Sequence, residues 1–548
     1  MINVSNNLFS SKKISESFRN TECGFFCLNS SYNFDQVDAL EEAANNGSVD
    51  LTNFLNSVKE HFSAMFFSSV KNKVYLIRDR FGMNQLFYSL DDEKIYFSNS
   101  AKEIALFLKK DIDKDYCARG AKYKIYDIAE SASAYEGVYS VPPGCFVSIC
   151  LRTLEIENIK WYDLYKNVAQ KSATIKNNSE KELTAELRQL LEKSIAKSLI
   201  NDTKNAITLS GGLDSSGIAS IAKQQGADIV PFSFSNPSAL LSEGPEVEEV
   251  AKYLNINVEY VWPEFSIDNI EKLLVSTMTA QEAPFIGIGA MAQNYLFSKV
   301  SESGFFRILG GQGSDEIFAG YRKFFIVALK EAINNKEFFN ALKFGASLSL
   351  MLLSELGKFK QYSKNLHRYK KEESPRLKLL NLSIKPHNLL DGSLSLSNRQ
   401  IQDITHWSLP TLLRLEGNNA KFNNIQSFYP FLDTELVELA LATPAKYKIK
   451  RGYGKWVLRK ALEGLVPNKI RLTRKKRGFD VTQNWVENGL GSVIHKFLEA
   501  NFELIKPYIR EDFDLNLINN YNLAKDSDLL DESLILFWIA SYKLDLNK

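Results

Sequence analysis

Short apolar stretches with an alternating grain dominate the first third of the chain. Phe62-Ser-Ala-Met-Phe-Phe-Ser-Ser69, Val74-Tyr-Leu-Ile-Arg78, Leu86-Phe-Tyr-Ser89 and Lys94-Ile-Tyr-Phe-Ser98 are aromatic or β-branched runs separated by turn residues, a pattern that predicts strands. Val141-Pro-Pro-Gly-Cys145 predicts a turn into a further strand at Phe146-Val-Ser-Ile149. Residues 20–160 therefore form a sheet-rich region. The polar run Gln170–Ser179 predicts a linker, after which Leu183, Leu187, Leu190, Leu191 and Ile195 recur at helical spacing. The pattern then alternates. Ala206–Leu209, Ile229–Phe234 and Val258–Val261 predict strands, and Gly217–Gln224 and Val247–Leu254 predict helices between them. Strand–helix–strand repetition with short connections implies right-handed crossovers and a parallel, doubly wound sheet. Beyond residue 325 the pattern is helical, with Ala346–Leu356 expected as a buried helix and an apolar close at Leu534–Ile539. The fold class is α/β, with a β-rich part at 1–168 and a parallel-sheet domain with a helical C-terminal part at 178–548.

Composition narrows the function classes. With 45% hydrophobic and 24% charged residues, the 548-residue chain has the balance of a soluble globular protein and is long enough for more than one core. Its net charge of +2 favours neither nucleic acid nor an anionic membrane as partner. Five scattered cysteines do not make a disulfide scaffold, and Cys23 and Cys27 lack the second ligand pair of a zinc site. No signal-peptide pattern and no long apolar span is present, so a cytoplasmic location is expected.

Two loops carry candidate chemistry. Ser210-Gly-Gly-Leu-Asp-Ser-Ser216 follows one predicted strand and precedes a helix. Its glycines let backbone N–H groups close on an anion, its serines add donors, and the helix terminus adds partial positive charge. A carboxylate in such a loop is compatible with phosphate only through a cation, which makes Asp214 a Mg²⁺ ligand candidate. The motif is not a Walker loop; it resembles the pyrophosphate loop of ATPases that split ATP between the α and β phosphates. The second loop, Gly310-Gly-Gln-Gly-Ser-Asp-Glu-Ile-Phe-Ala-Gly-Tyr321, follows the strand-like Phe305–Leu309, and Asp315 is the candidate opposing metal ligand.

Together with these loops, Arg78-Asp-Arg-Phe-Gly82, Val141–Gly144, Glu282-Ala-Pro284, Leu412-Leu-Arg414, Pro430-Phe-Leu-Asp433 and Lys455-Trp-Val-Leu-Arg459 resemble the asparagine synthetase family, which includes β-lactam synthetases and the cyclases that close lasso peptides. Lys475-Lys-Arg-Gly-Phe479 with Trp485 resembles a loop near that family's active site. The resemblance implies an N-terminal Ntn-hydrolase-like glutamine amidotransferase fold and a pyrophosphate-loop ATPase domain. It implies ATP and Mg²⁺ as cofactors, with Ser210, Gly211, Gly212, Asp214, Ser215, Ser216, Gly311 and Gly313 around the phosphates. Leu209, Phe232 and Ser233 would lie beside the adenosine, Asp214 and Asp315 on Mg²⁺, and Lys455 at the α-phosphate and the tetrahedral intermediate.

Three departures stand out. Glutamine-using members place a cysteine after the initiator methionine; here that position is Ile2, and Cys23 stands too close to Arg78-Asp-Arg80 to open a complete glutaminase domain. The N-terminal part is expected to be a shortened remnant that does not hydrolyse glutamine. Gln312 stands where asparagine synthetases carry Glu and β-lactam synthetases Tyr, and Gln426 where the pattern carries Glu. Neither amide is a general base, so the expected rate rises toward the amine's own pKa without the acidic limb of a glutamate base. The leading expectation is an amide ligase that adenylates a carboxylate and joins it to an amine carried by a small-molecule or peptide substrate, as a lasso-peptide cyclase does. A precursor-peptide delivery protein or protease is a possible partner. Ammonia-dependent amidation of aspartate or a sugar acid is the alternative, and a silent binding subunit the third reading.

Overall fold

The computed structural model describes residues 35–59, 61–68, 70–128, 133–235, 243–354, 377–383, 395–474 and 482–548, with the short pairs 20–21 and 24–25. The N-terminal strands are β1 (Ser63–Ser68), β2 (Lys73–Arg78), β3 (Phe87–Asp91), β4 (Lys94–Ser98), β5 (Tyr139–Ser140), β6 (Cys145–Cys150) and β7 (Ile156–Lys160). They form two antiparallel sheets, ordered β1-β2-β6-β7 and β4-β3-β5. The two-residue period sorts the side chains. Met65, Leu76, Val147 and Ile149 meet Leu86, Tyr88 and Val141 between the sheets. The opposite face, with Phe66, Tyr75, Ile77 and Phe146, packs on Leu40, Ala44, Leu51 and Leu55 of α1 (Asp35–Asn46) and α2 (Ser48–Ser57). Phe87, on the far side of the second sheet, meets Ala101, Ile104 and Ala105 of α3 (Ala101–Phe107), beyond which lies α4 (Lys114–Tyr123). The result is a helix–sheet–sheet–helix stack. These helices are absent from the strand-dominated sequence reading.

The expected linker is corrected by α5 (Leu164–Thr174), which runs through its first half. Asp163 caps this helix by accepting from Lys166 N at 3.2 Å, and Leu164 and Val168 anchor it. Its solvent face produced the polar appearance. Ser179 and Glu182 then form a capping box at the start of α6 (Glu180–Ser198).

The second domain holds a five-stranded parallel sheet built from β8 (Asn205–Thr208), β9 (Ile229–Ser233), β10 (Glu259–Tyr260), β11 (Arg307–Leu309) and β12 (Gln426–Phe428), ordered β10-β9-β8-β11-β12. Ala206, Phe232 and Ile308 face helices α9 (Ile267–Gln281) and α10 (Gly289–Glu302). Ile207, Leu209 and Leu309 face α6, α7 (Leu213–Gln224) and α8 (Gly244–Leu254) on the other side. Chain order reverses between β8 and β11, so the carboxyl ends of these neighbours form a switch point, the place where open α/β sheets take ligands. The C-terminal half is almost wholly helical, as expected, and also supplies the short edge strand β12. The apolar helix α11 (Phe338–Ser354) buries Phe344, Ser347 and Met351, but Leu342 is 72% and Leu353 60% exposed, so it is not the buried helix its composition predicts. Among the described residues, no helix is long and apolar enough to cross a membrane.

Candidate active site

Beyond β8 the chain passes through Leu209-Ser210-Gly211-Gly212 and enters α7 within the phosphate-loop motif. Asp214, Ser215 and Ser216 therefore occupy the first turn of the helix, and Gly212 at the N-cap brings no side-chain cap. First-turn N–H groups without a capping side chain are donors for an anion at this end of the sheet. Gly211 has φ +68°, and a Cβ there would lie 2.6 Å from Glu246 Cβ and 2.8 Å from Val247 N, so only glycine fits. Ser215 Oγ accepts from Ser210 N at 3.1 Å and closes the loop on itself. Ser216 Oγ is buried with no hydrogen-bond partner among the described residues. Leu209, Phe232 and Ser233 lie at neighbouring strand ends, where Leu209 N donates to Phe232 O at 2.8 Å. Their side chains are buried, Ser233 pairing with Ser235 at 2.8 Å.

Across the switch point, Gly311 packs against Asp214: a Cβ at this glycine would lie 3.2 Å from Asp214 Cβ. Ser314 Oγ donates to Asp214 Oδ1 at 2.8 Å. Lys455 reaches the same point from the N-cap of α13 (Trp456–Ala461), held in the left-handed region at φ +54° with its N–H donating to Phe318 O at 3.1 Å. A lysine in that conformation carries backbone strain, which tertiary packing must sustain. Its Nζ lies 2.6 Å from Asp214 Oδ2 and 2.8 Å from Asp315 Oδ1, with the side chain only 8% exposed. Asp214, Asp315 and Lys455, separated by up to 241 residues, thus meet at one place.

Gly320 faces this cluster, and a Cβ there would overlap both the Asp315 carboxylate and the Lys455 chain. Gly320→Ala is expected to force the cluster apart, at a cost of about 1–3 kcal/mol typical of overpacking. Calorimetry should then show a lower Tm together with weaker ATP binding.

A cavity of about 680 Å³ opens over the cluster, bounded by the phosphate loop, Tyr321, Arg322, Tyr453 and Arg474. Burial pushes the Arg459 guanidinium at its wall down to about 10, against the opposing pull of Asp214 and Asp315. Lys475–Phe479, Cys23 and Cys27 lie outside the described residues.

Gln312 is not left without an acid. Glu416 on α12 (Leu409–Phe422) stands at this loop, where a Cβ at Gly310 would lie 2.8 Å from its Oε1, and the amides of Gln312 and Gln293 bear on its carboxylate. Glu416 is 3% exposed, and burial pushes it up to about 7, the two amide donors acting in the opposite direction. Sequence reasoning missed it. The available signal was periodicity: Leu409, Leu413, Glu416 and Ala420 share the buried stripe of one helix, and a lone acid on such a stripe is exceptional. Gln426 lies elsewhere. It opens β12 opposite Arg307, at the amino end of the strands, whereas Gln312 follows the carboxyl end of β11. The residues around Gln312 therefore supply a carboxylate that the expectation of a base-free site did not include.

Comparison with known proteins agrees with this architecture. The Glutamine amidotransferase domain pattern matches residues 48–162, and the Asparagine synthase pattern matches residues 186–539. Asparagine synthetase [glutamine-hydrolyzing] 1 of Bacillus subtilis (strain 168) is 23% identical over 516 residues, covering 89% of this chain and 78% of that protein. Amidase chry2 of Gibberella zeae is 27% identical over 51% of this chain and 42% of its own length, and amidase chyE of Penicillium rubens 23% identical over 79% and 71%. With a match across the whole parallel-sheet domain and its helical continuation, the chain belongs to the asparagine synthase family.

Proposed function

We propose that this ATP-dependent carbon–nitrogen ligase adenylates a carboxylate of its substrate and joins it to an amine that the substrate itself carries. The observation behind this reading is a buried carboxylate, Glu416, set against the loop that carries Gln312: a Cβ at Gly310 would lie 2.8 Å from its Oε1, and burial pushes it up to about 7. A base with that value is about half ionised at neutral pH, and its charged form can take the proton an amine sheds on attack. In the first half-reaction the substrate carboxylate oxygen attacks the α-phosphorus and pyrophosphate leaves. In the second, the amine nitrogen attacks the acyl carbon, AMP leaves, and Glu416 accepts the proton. Lys455, already desolvated, supplies positive charge where oxygens gain negative charge in both transition states.

Asp214 and Asp315 converge on one cationic atom, the Lys455 Nζ, which is a donor set suited to a divalent ion shared with phosphates. Magnesium held by these two carboxylates would screen the charge of the departing pyrophosphate. Asp214→Asn and Asp315→Asn are each expected to abolish pyrophosphate release. Titration calorimetry should show that magnesium no longer strengthens ATP binding to either variant, whereas unchanged magnesium dependence would remove both residues from the metal site.

The amine and carboxylate belong to a peptide or a small molecule, and a peptide substrate would bring a delivery protein or protease with it. The relatives named asparagine synthetase favour a second reading, ammonia-dependent amidation of aspartate. A screen of pyrophosphate release separates the two. Aspartate with ammonium chloride should be a poor pair, and brisk asparagine formation would place the second reading first.

A further inference from the structure

Asp315 stands on a helix of a single turn, Ser314–Ile317, and such a turn has too few hydrogen bonds of its own to hold its shape. Its carboxylate converges with that of Asp214 on the Lys455 Nζ, and two like charges drawn to one point repel each other. The turn therefore needs backing from the protein. The next residue provides it, since the Glu316 side chain runs into the interior and is buried. Its Oε1 accepts from Tyr321 Oη at 2.8 Å and from Ser408 Oγ at 2.9 Å. Tyr321 lines the cavity over the phosphate loop, and the Lys323 ammonium lies 5.1 Å over its ring, tied in turn to Asp403 at 2.8 Å. Ser408 is the N-cap of α12, yet its hydroxyl caps no N–H of that helix and goes to Glu316 instead. The backbone of the turn is held from the helix Leu396–Gln402, where Gln400 Nε2 donates to Glu316 O at 2.5 Å and to Ile317 O at 2.8 Å. Gln400 Oε1 accepts from Lys448 Nζ at 2.8 Å, and both residues are buried.

We infer that Glu316 is a positioning residue for the metal site, a buried carboxylate that fixes the aim of Asp315 and ties its turn to the helix carrying Glu416. A carboxylate oxygen has two lone-pair sites, so Oε1 takes both hydroxyls at once. Asp315 and Glu316 are neighbours on one turn. Any rotation that swings Asp315 away from Lys455 must therefore draw Glu316 off Tyr321 and Ser408, leaving polar groups unpaired in a dry place. Tyr321 belongs to the wall of the nucleotide cavity and Ser408 to the start of α12. One oxygen thus joins the part of the site that meets the phosphates to the part that Glu416 serves. Partners standing behind a metal ligand set its affinity by about 10–100-fold, which is the scale of effect expected here.

This inference rests on Asp315 holding magnesium, and its test on the full chain does not need turnover. Titration calorimetry reads the factor by which magnesium chloride tightens ATP binding, with Asp315→Asn as the reference for its loss. Glu316→Ala should lower that factor by about 10–100-fold while ATP binding without magnesium stays within a few-fold of wild type. Glu316→Gln, whose amide oxygen still accepts, should lose less. Tyr321→Phe and Ser408→Ala each remove one hydroxyl and should each lower the factor several-fold. Neither should have a further effect in the Glu316→Ala background, because both act through the same oxygen, and a role in stability alone would not produce that coupling. Circular dichroism checks folding, and if Glu316→Ala does not fold, Tyr321→Phe and Ser408→Ala decide the matter. A lower Tm with a wild-type magnesium factor in those two variants would overturn the inference. Loss of the metal assignment would show separately, as an unchanged factor in Asp315→Asn.

Discussion

Lys455→Met should lower amide formation by about 10²–10³-fold, the scale of a lost oxyanion donor of roughly 3–4 kcal/mol, while the protein still folds and binds ATP. The expectation follows from where the ammonium is held. It lies within 2.8 Å of both Asp214 and Asp315, so two carboxylates hold it in place. Its desolvation is complete in advance, and charge that appears on the α-phosphate or acyl oxygen meets a cation that need not reorganise. Methionine keeps much of the side chain's volume while removing the charge, so a large kinetic defect would report electrostatics rather than packing. Single-turnover measurements of AMP formation would test this. Turnover within a few-fold of wild type would place Lys455 outside the chemistry and leave its strained φ of +54° without a functional reason.

Glu416→Gln should cost about 10²–10⁴-fold in amide formation, the range for a lost general base, and should change the shape of the pH profile. In the wild type the active form is the carboxylate, so below a value near 7 the rate should fall about tenfold more per pH unit than the amine's own ionisation alone dictates. In the Gln variant that acidic limb should vanish, leaving a slow rate that follows the amine's own ionisation. Stability supplies an independent check of the same group. Burial raises Glu416 from 4.5 to about 7, so the stability linked to its neutral form is complete below 4.5 and is lost as the pH rises through about 7. The Gln variant escapes that loss and should gain on the wild type in urea unfolding across the same window. A constant difference between the two at every pH would contradict the raised value.

Much of this was legible in the residues, for identifiable reasons. Val74–Arg78 and Ala206–Thr208 are strands because β-branched and aromatic side chains alternate there or fill a doubly covered sheet, and the chain pairs them accordingly. The phosphate loop was readable because its glycines and serines are demanded by local geometry, as the crowding around Gly211 illustrates. Non-local features were harder. Nothing near Gln426-Ser-Phe428 marks a three-residue edge strand, which exists because β11 offers it a free edge. Glu416 was hidden because an acid between apolar helix positions looks like a solvated residue until the partners Gln312 and Gln293, more than a hundred residues away, are placed against it. The end of α5, from Gln170 on, reads as linker because its polar side dominates, and the capping Asp163 is the sign of the helix.

The central claim, that a carboxylate is activated as an acyl-adenylate, is tested most directly by isotope transfer. The substrate found in the pyrophosphate-release screen is labelled with ¹⁸O in its carboxylate and turned over with ATP, and the nucleotide product is examined by mass spectrometry. The account predicts AMP carrying one ¹⁸O atom, because the carboxylate oxygen that attacks the α-phosphorus leaves with it when the amine captures the acyl group. ADP with labelled inorganic phosphate, or AMP free of label, would contradict it.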